Sequence, residues 1–212
     1  MRLGILVSGR GSNLEAVLDA VADGRLPDVD PVLVIANRPE IRALEVAARR
    51  GVAWRLMPRS AFPDAGARDA AIGQVVEEAG CEVVLLAGYD QLLRAPYFAS
   101  FTGRTINIHP SLLPRHGGRG MMGPAVHAAV IAAGDTETGV TIHEVTPLLD
   151  AGPAIAQVHV AVRPGETADG LAERVLEVEH RVLVEVLAHL SASMTGASPA
   201  PIRARRTLRE AR

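Results

Sequence analysis

Short apolar runs alternate along the chain with segments in which apolar residues recur every three or four positions, the pattern of strands lying between helices. Runs at 3–7, 32–36, 52–56, 83–87 and 105–109 predict five strands. Leu14, Val17, Leu18 and Val21 share a helical face after the first strand, and further helices are predicted over 42–50 and 68–79. This alternation predicts an α/β fold, a parallel sheet with helices on its faces. In the second half a helix near 125–133 leads to strands at 139–145 and 154–162, with 147–152 as the loop between them. A long helix over 167–189 then places Leu171, Val175, Val178, Val182 and Val186 on one face, closing over the sheet. From 191 onward Ser, Ala, Pro and Arg replace the apolar pattern. The expectation is one domain over 1–190 and a disordered basic tail over 191–212.

Composition narrows the class. Of the 212 residues 48% are hydrophobic but only 3% aromatic, so the core must be aliphatic and a stacking platform for single-stranded nucleic acid is not expected. Basic and acidic residues number 22 and 24 and are spread along the chain, which predicts no general attraction to nucleic acid or to anionic lipid. The one basic cluster, Arg203, Arg205, Arg206, Arg209 and Arg212, reads as a solvated terminus. Cys81 is the single cysteine, so no intrachain disulfide can form; it reads as a small buried hydrophobe in a reducing compartment. The apolar stretch at the start is too short for a signal peptide, and no run reaches membrane-spanning length. The expected location is the cytoplasm.

Two stretches carry chemistry. The first strand ends in Ser8-Gly9-Arg10-Gly11-Ser12-Asn13 and a helix follows at once. Backbone N–H groups and the positive helix end then converge above the strand, the outline of a phosphate site, and the glycines leave no side chain in the way. Ser12 and Glu15 also fit a Ser-x-x-Glu capping box, which would explain both residues by helix stability alone. A dinucleotide fingerprint fits less well, because the third glycine is missing and Ala36-Asn37-Arg38 stands where an acidic residue would end the second strand.

The second stretch is Ile106-Asn107-Ile108-His109-Pro110-Ser111-Leu112-Leu113-Pro114. In an extended strand Asn107 and His109 share one face, so an amide and an imidazole stand together at the strand's carboxyl end, where open α/β sheets bind ligands. Pro110 ends the pairing just past the histidine. Acyl transfer to an amine suits this pair: Asn107 can donate to a developing oxyanion, and His109 can pass a proton to a leaving nitrogen. Asp150, in the turn Leu149-Asp150-Ala151-Gly152-Pro153, is the candidate carboxylate that would raise the histidine pKa. A capping aspartate and a satisfied core histidine would account for the same residues without chemistry. The remaining histidines, His143 and His180 among them, show no ligand spacing with one another or with Cys81, and no metal site is expected.

Taken together, Ser-Gly-Arg-Gly-Ser-Asn, Asn-Ile-His-Pro-Ser-Leu-Leu-Pro and Leu-Asp-Ala-Gly-Pro resemble the glycinamide ribonucleotide formyltransferase family over about residues 1–190. The resemblance implies a single Rossmann-like formyltransferase domain with a mostly parallel sheet, antiparallel C-terminal strands and a long closing helix. It implies transfer of the formyl group of 10-formyltetrahydrofolate to the amine of phosphoribosylglycinamide in purine synthesis, by a monomer or homodimer that uses no metal. Asn107, His109 and Asp150 would be the catalytic group, with His109 the proton donor. The backbone of Gly11, Ser12 and Asn13 would hold the phosphate, and Glu179 the ribose hydroxyls. The pterin would lie along Asp90, Gln91, Leu92 and Leu93 beside Asn107, and Leu113–Pro114 would be a cis peptide. Arginines that meet the folate glutamate tail in many members are replaced by Gln91 and Ala65, with Arg68 one helical turn on as the substitute. The glycine-rich segment 115–123 is longer than in some relatives and reads as a mobile loop with His127 behind it.

Three rivals remain. A 10-formyltetrahydrofolate hydrolase would use the same amide, imidazole and carboxylate with water as nucleophile, but carries an N-terminal regulatory module. A methionyl-tRNA formyltransferase would need a further domain and a basic surface. A non-catalytic nucleotide-binding module would have no use for Asn107, His109 and Asp150 together.

Overall fold

A computed structural model describes residues 1–196; the rest of the expected tail, with its arginine cluster, lies outside the described residues. Strands β1 (Arg2–Val7), β2 (Asp30–Ala36), β3 (Trp54–Leu56), β4 (Val83–Leu86) and β5 (Arg104–His109) are parallel. Strands β6 (Glu137–Glu144) and β7 (Ala154–Ala161) continue the sheet antiparallel, giving the order β3-β2-β1-β4-β5-β6-β7. The chain moves outward from β1 to β3 on one side and resumes at β4 on the other. The strand order therefore reverses between β1 and β4, the place where doubly wound sheets bind ligands.

Alternation along the strands feeds two cores. Leu3, Ile5 and Val7 of β1 pack with α1 (Ser12–Ala22), α2 (Arg42–Arg49) and α6 (Ala168–Met194). Leu6 of β1 faces the other way, into a cluster with Ile72 and Val76 of α3 (Ala65–Glu78) and Tyr97 of α4 (Ala95–Ser100), closed by Phe101. Each fully buried aliphatic side chain contributes about 1.5–3 kcal/mol before chain entropy is counted. Ile106 and Ile108 belong to the first core, which turns Asn107 and His109 toward the opposite face of the sheet.

Three features depart from the sequence reading. Helix α4 has six residues, too few to show a helical period, and rests on scarce aromatics: Tyr97 is fully buried and meets Thr105 Oγ1 at 2.9 Å. It can lie close to α3 because Gly73 stands between them; a Cβ there would come within 2.7 Å of the Tyr97 carbonyl oxygen. Helix α3 starts three residues earlier than its apolar pattern, because Asp64 caps it by accepting from the Ala67 N–H at 2.8 Å. Helix α6 runs to Met194, past the expected boundary at 191, because Leu190 and Ser191 are still buried and Ser191 Oγ donates to the Asp28 carbonyl. Among the described residues no helix is long and apolar enough to cross a membrane.

Candidate active site

The turn after β1 has the geometry of an anion site. Gly11 is the residue before α1, at φ 76°, and a Cβ there would lie 2.8 Å from Ala43, so the left-handed turn and the contact with α2 both require glycine. No side chain caps α1, which leaves the N–H groups of its first turn for a ligand. The capping box does not form. Ser12 is the first helical residue rather than the cap, and the Glu15 carboxylate instead accepts from Arg42 Nη2 at 2.6 Å.

Glu179 reaches this turn from α6, far away in the chain. Its carboxylate accepts from Asn13 Nδ2 at 3.0 Å, and both side chains are buried. Burial pushes the Glu179 carboxyl up to about 7, against the pull of the Asn13 bond. Hydroxyl donors arriving beside it would favour its ionised form.

At the end of β5 the antiparallel partner supplies a residue that sequence reasoning set aside. β6 pairs His143 with Asn107 and Thr141 with His109. His143 Nδ1 lies 2.8 Å from the Glu144 carbonyl, which can only accept, so the neutral ring carries its hydrogen on Nδ1. Nε2 then accepts from Asn107 Nδ2 at 3.1 Å, which fixes the amide and leaves its second N–H free. Asp150 joins the group from the loop before β7. It adopts φ 51°, its Oδ1 lies 3.8 Å from His143 Nε2, and its Oδ2 accepts from the Gly118 N–H at 2.7 Å.

His109 is buried, and its Nε2–H donates to the His116 carbonyl at 2.9 Å. Its pKa lies below the ordinary imidazole value, opposite to the expectation. Burial is the main cause; the His116 carbonyl and the charge of Asp150 push back upward without prevailing. His109 is therefore neutral near pH 7, with Nδ1 carrying the lone pair. The turn beyond it, with a cis Leu113–Pro114 peptide, is held from β6 and β7. Thr141 Oγ1 donates to the Ser111 carbonyl at 2.7 Å, and Gln157 Nε2 donates to the Leu113 carbonyl at 2.9 Å.

The formyl transferase family matches residues 1–187. The chain belongs to this family. It is 36% identical over 187 residues to the trifunctional purine biosynthetic protein adenosine-3 of Bos taurus, a match over 88% of this chain that spans only 18% of that protein's length. Against the phosphoribosylglycinamide formyltransferase of Escherichia coli K12 it is 34% identical over 182 residues, covering 86% of this chain and 83% of that one. Glycinamide ribonucleotide transformylase 1 from Symbiobacterium toebii superposes with a TM-score of 0.84 at 37% identity, over 91% of this chain and 88% of that one.

The segment after β4 is the part of this family member that departs most from expectation. The Asp90 carboxylate accepts from Ser8 Oγ at 3.0 Å, Asn37 Nδ2 at 2.7 Å, Gln91 Nε2 at 3.1 Å and the Arg38 guanidinium. It ties together the loops after β1, β2 and β4. Burial works against its ionisation, but these donors hold its pKa below the usual carboxylate range. Leu93 is buried and Leu92 is exposed. Arg68 is not the free cation expected for a folate tail. It is 1% exposed, bound to Asp69 Oδ1 at 2.6 Å and to Gln91 Oε1 at 2.9 Å, and so supports the 90–93 segment from beneath. Among the described residues no group of three or more His, Cys, Asp or Glu side chains is arranged to hold a metal.

Proposed function

We infer that this chain transfers the formyl group of 10-formyltetrahydrofolate to the amine of 5'-phosphoribosylglycinamide. The reading is supported by Asn107 and Asp150 meeting at His143, with the Asp150 charge acting on His109, and by the uncapped start of α1. The phosphate binds the N–H groups of Gly11, Ser12 and Asn13, and the ribose hydroxyls meet Glu179. The pterin lies along the backbone of Asp90, Gln91, Leu92 and Leu93. The acceptor amine attacks the formyl carbon, and the carbonyl oxygen becomes an oxyanion that takes the free N–H of Asn107. His109 starts neutral, so Nδ1 accepts the amine proton and then delivers it to N10 of the folate as the carbon–nitrogen bond breaks. Asp150 favours the imidazolium formed between those steps.

The reaction needs no metal and no macromolecular partner, and a monomer or homodimer in the cytoplasm suffices for it. The helix start and Glu179 favour a phosphorylated amine over water as acceptor. The test is to mix the protein with 10-formyltetrahydrofolate and follow folate release with and without glycinamide ribonucleotide. Release that depends on the amine supports the transferase; release that ignores it indicates a hydrolase.

A further inference from the structure

The carbonyl that accepts from His109 is held in place from outside the catalytic group. Asp135 lies between α5 (Pro124–Ala132) and β6; its Oδ2 meets His116 Nε2 at 2.6 Å and its Oδ1 meets the Arg115 guanidinium. The Asp135 and His116 side chains are 8% and 15% exposed and Arg115 is 68% exposed, so the imidazole–carboxylate bond is the one shielded from water. His116 adopts φ 51°, a left-handed conformation that favours glycine, although glycines stand at the next two positions. The ring, anchored on Asp135, supports that backbone. The same twist aims the His116 carbonyl at His109 Nε2. On either side, Ser111 Oγ donates to the Arg115 carbonyl at 2.6 Å and the Gly118 N–H donates to Asp150. Residues 115–118 thus form a strap that touches both His109 and Asp150 and is tethered at Asp135.

We propose that Asp135 is a positioning residue: by holding His116 it keeps the hydrogen of His109 on Nε2, leaves Nδ1 open, and places Asp150. The kinetic half of this proposal rests on the formyl-transfer reading; the spectroscopic half does not. Asp135→Asn takes away the charge that holds His116, and His116→Phe takes away the donor while leaving Asp135 in place.

Nitrogen NMR of ring-labelled full-length protein at pH 8, with the His109 signals assigned by His109→Asn, reads the tautomer directly. Native protein should show a hydrogen-bearing Nε2 and a bare Nδ1, and both variants a mixture of the two tautomers. Turnover should fall about tenfold or more in each variant, the scale of misplacing a reacting group. KM for both substrates should stay within about twofold, since ground-state binding is untouched. The double variant should lose no more than either single one, because both break one bond. Unmoved His109 signals in both variants, or losses that multiply in the double variant, would overturn the proposal. If native protein transfers no formyl group, the functional reading fails while the ring signals still decide the role of Asp135.

Discussion

The Nε2–H of His109 is committed to the His116 carbonyl at 2.9 Å, which leaves Nδ1 as the ring nitrogen open to exchange a proton in the proposed transfer. Burial holds the imidazole below its ordinary pKa, so in the proposed reaction it enters as a base. The acid limb of kcat/KM should therefore lie below about 6.5, the unperturbed imidazole value, with activity level through pH 7. The Asp150 charge opposes the effect of burial, so Asp150→Asn should move that limb to still lower pH while reducing kcat. His109→Ala should cost on the order of a hundredfold or more in kcat with substrate binding nearly intact. An acid limb that moved upward in Asp150→Asn would show that the carboxylate does not act on His109 through its charge.

Glu179 links pH to stability. Its folded pKa of about 7 lies above the ordinary carboxylate value, so the folded state holds a proton that the unfolded chain releases near pH 4.5. The favourable contribution is complete below about pH 4.5 and is lost as pH rises through about 7. Relative to Glu179→Gln, native protein should lose on the order of 3 kcal/mol across that window. Urea denaturation of both proteins from pH 4.5 to 8 measures it, and parallel stability curves would refute it. Binding of glycinamide ribonucleotide should ionise Glu179 and release protons to the buffer, which calorimetry in buffers of different ionisation enthalpy detects.

Much of this was written in the sequence, though unevenly. Strand alternation was enough to pair Asn107 with His109, since period two is a local property. His143 was missed for want of a register: its alternation with Thr141 is visible in 139–145, but only antiparallel pairing sets it opposite Asn107. The direction of the His109 shift was misjudged because a carboxylate can be guessed from a motif while burial is a sum over distant elements. The same limit applies to Arg68, whose place on α3 was legible and whose complete burial against Asp69 was not.

The proposed phosphate site can be tested at the start of α1. Ser12 is the first residue of α1 and its N–H has no partner within the helix; proline there removes that N–H and also crowds the left-handed turn of Gly11 at φ 76° and ψ 26°. Ser12→Pro should raise KM for glycinamide ribonucleotide about tenfold or more, the cost of losing one hydrogen bond to a charged group. Folate affinity should be unchanged. Initial rates with each substrate varied in turn distinguish the two, and a selective loss of folate affinity would mean the half-sites are exchanged.

The 90–93 segment, proposed to hold the folate, rests on a buried charge cluster. Asp69 is completely buried and accepts from Arg68 and from both the backbone N–H and the guanidinium of Arg94. Asp69→Asn leaves the Arg68 guanidinium buried without its counter-charge, a change that costs about 3–5 kcal/mol. Urea midpoints should show that loss, and the surviving folded protein should bind folate more weakly, because Arg68 also holds Gln91 and the carbonyl of Leu92. Adding Arg68→Met removes the stranded charge and fills similar volume, so the double variant should recover much of the stability. It should not recover folate affinity, since methionine cannot restore the bond to Gln91. Recovery of both would place the segment's support elsewhere than in the buried guanidinium.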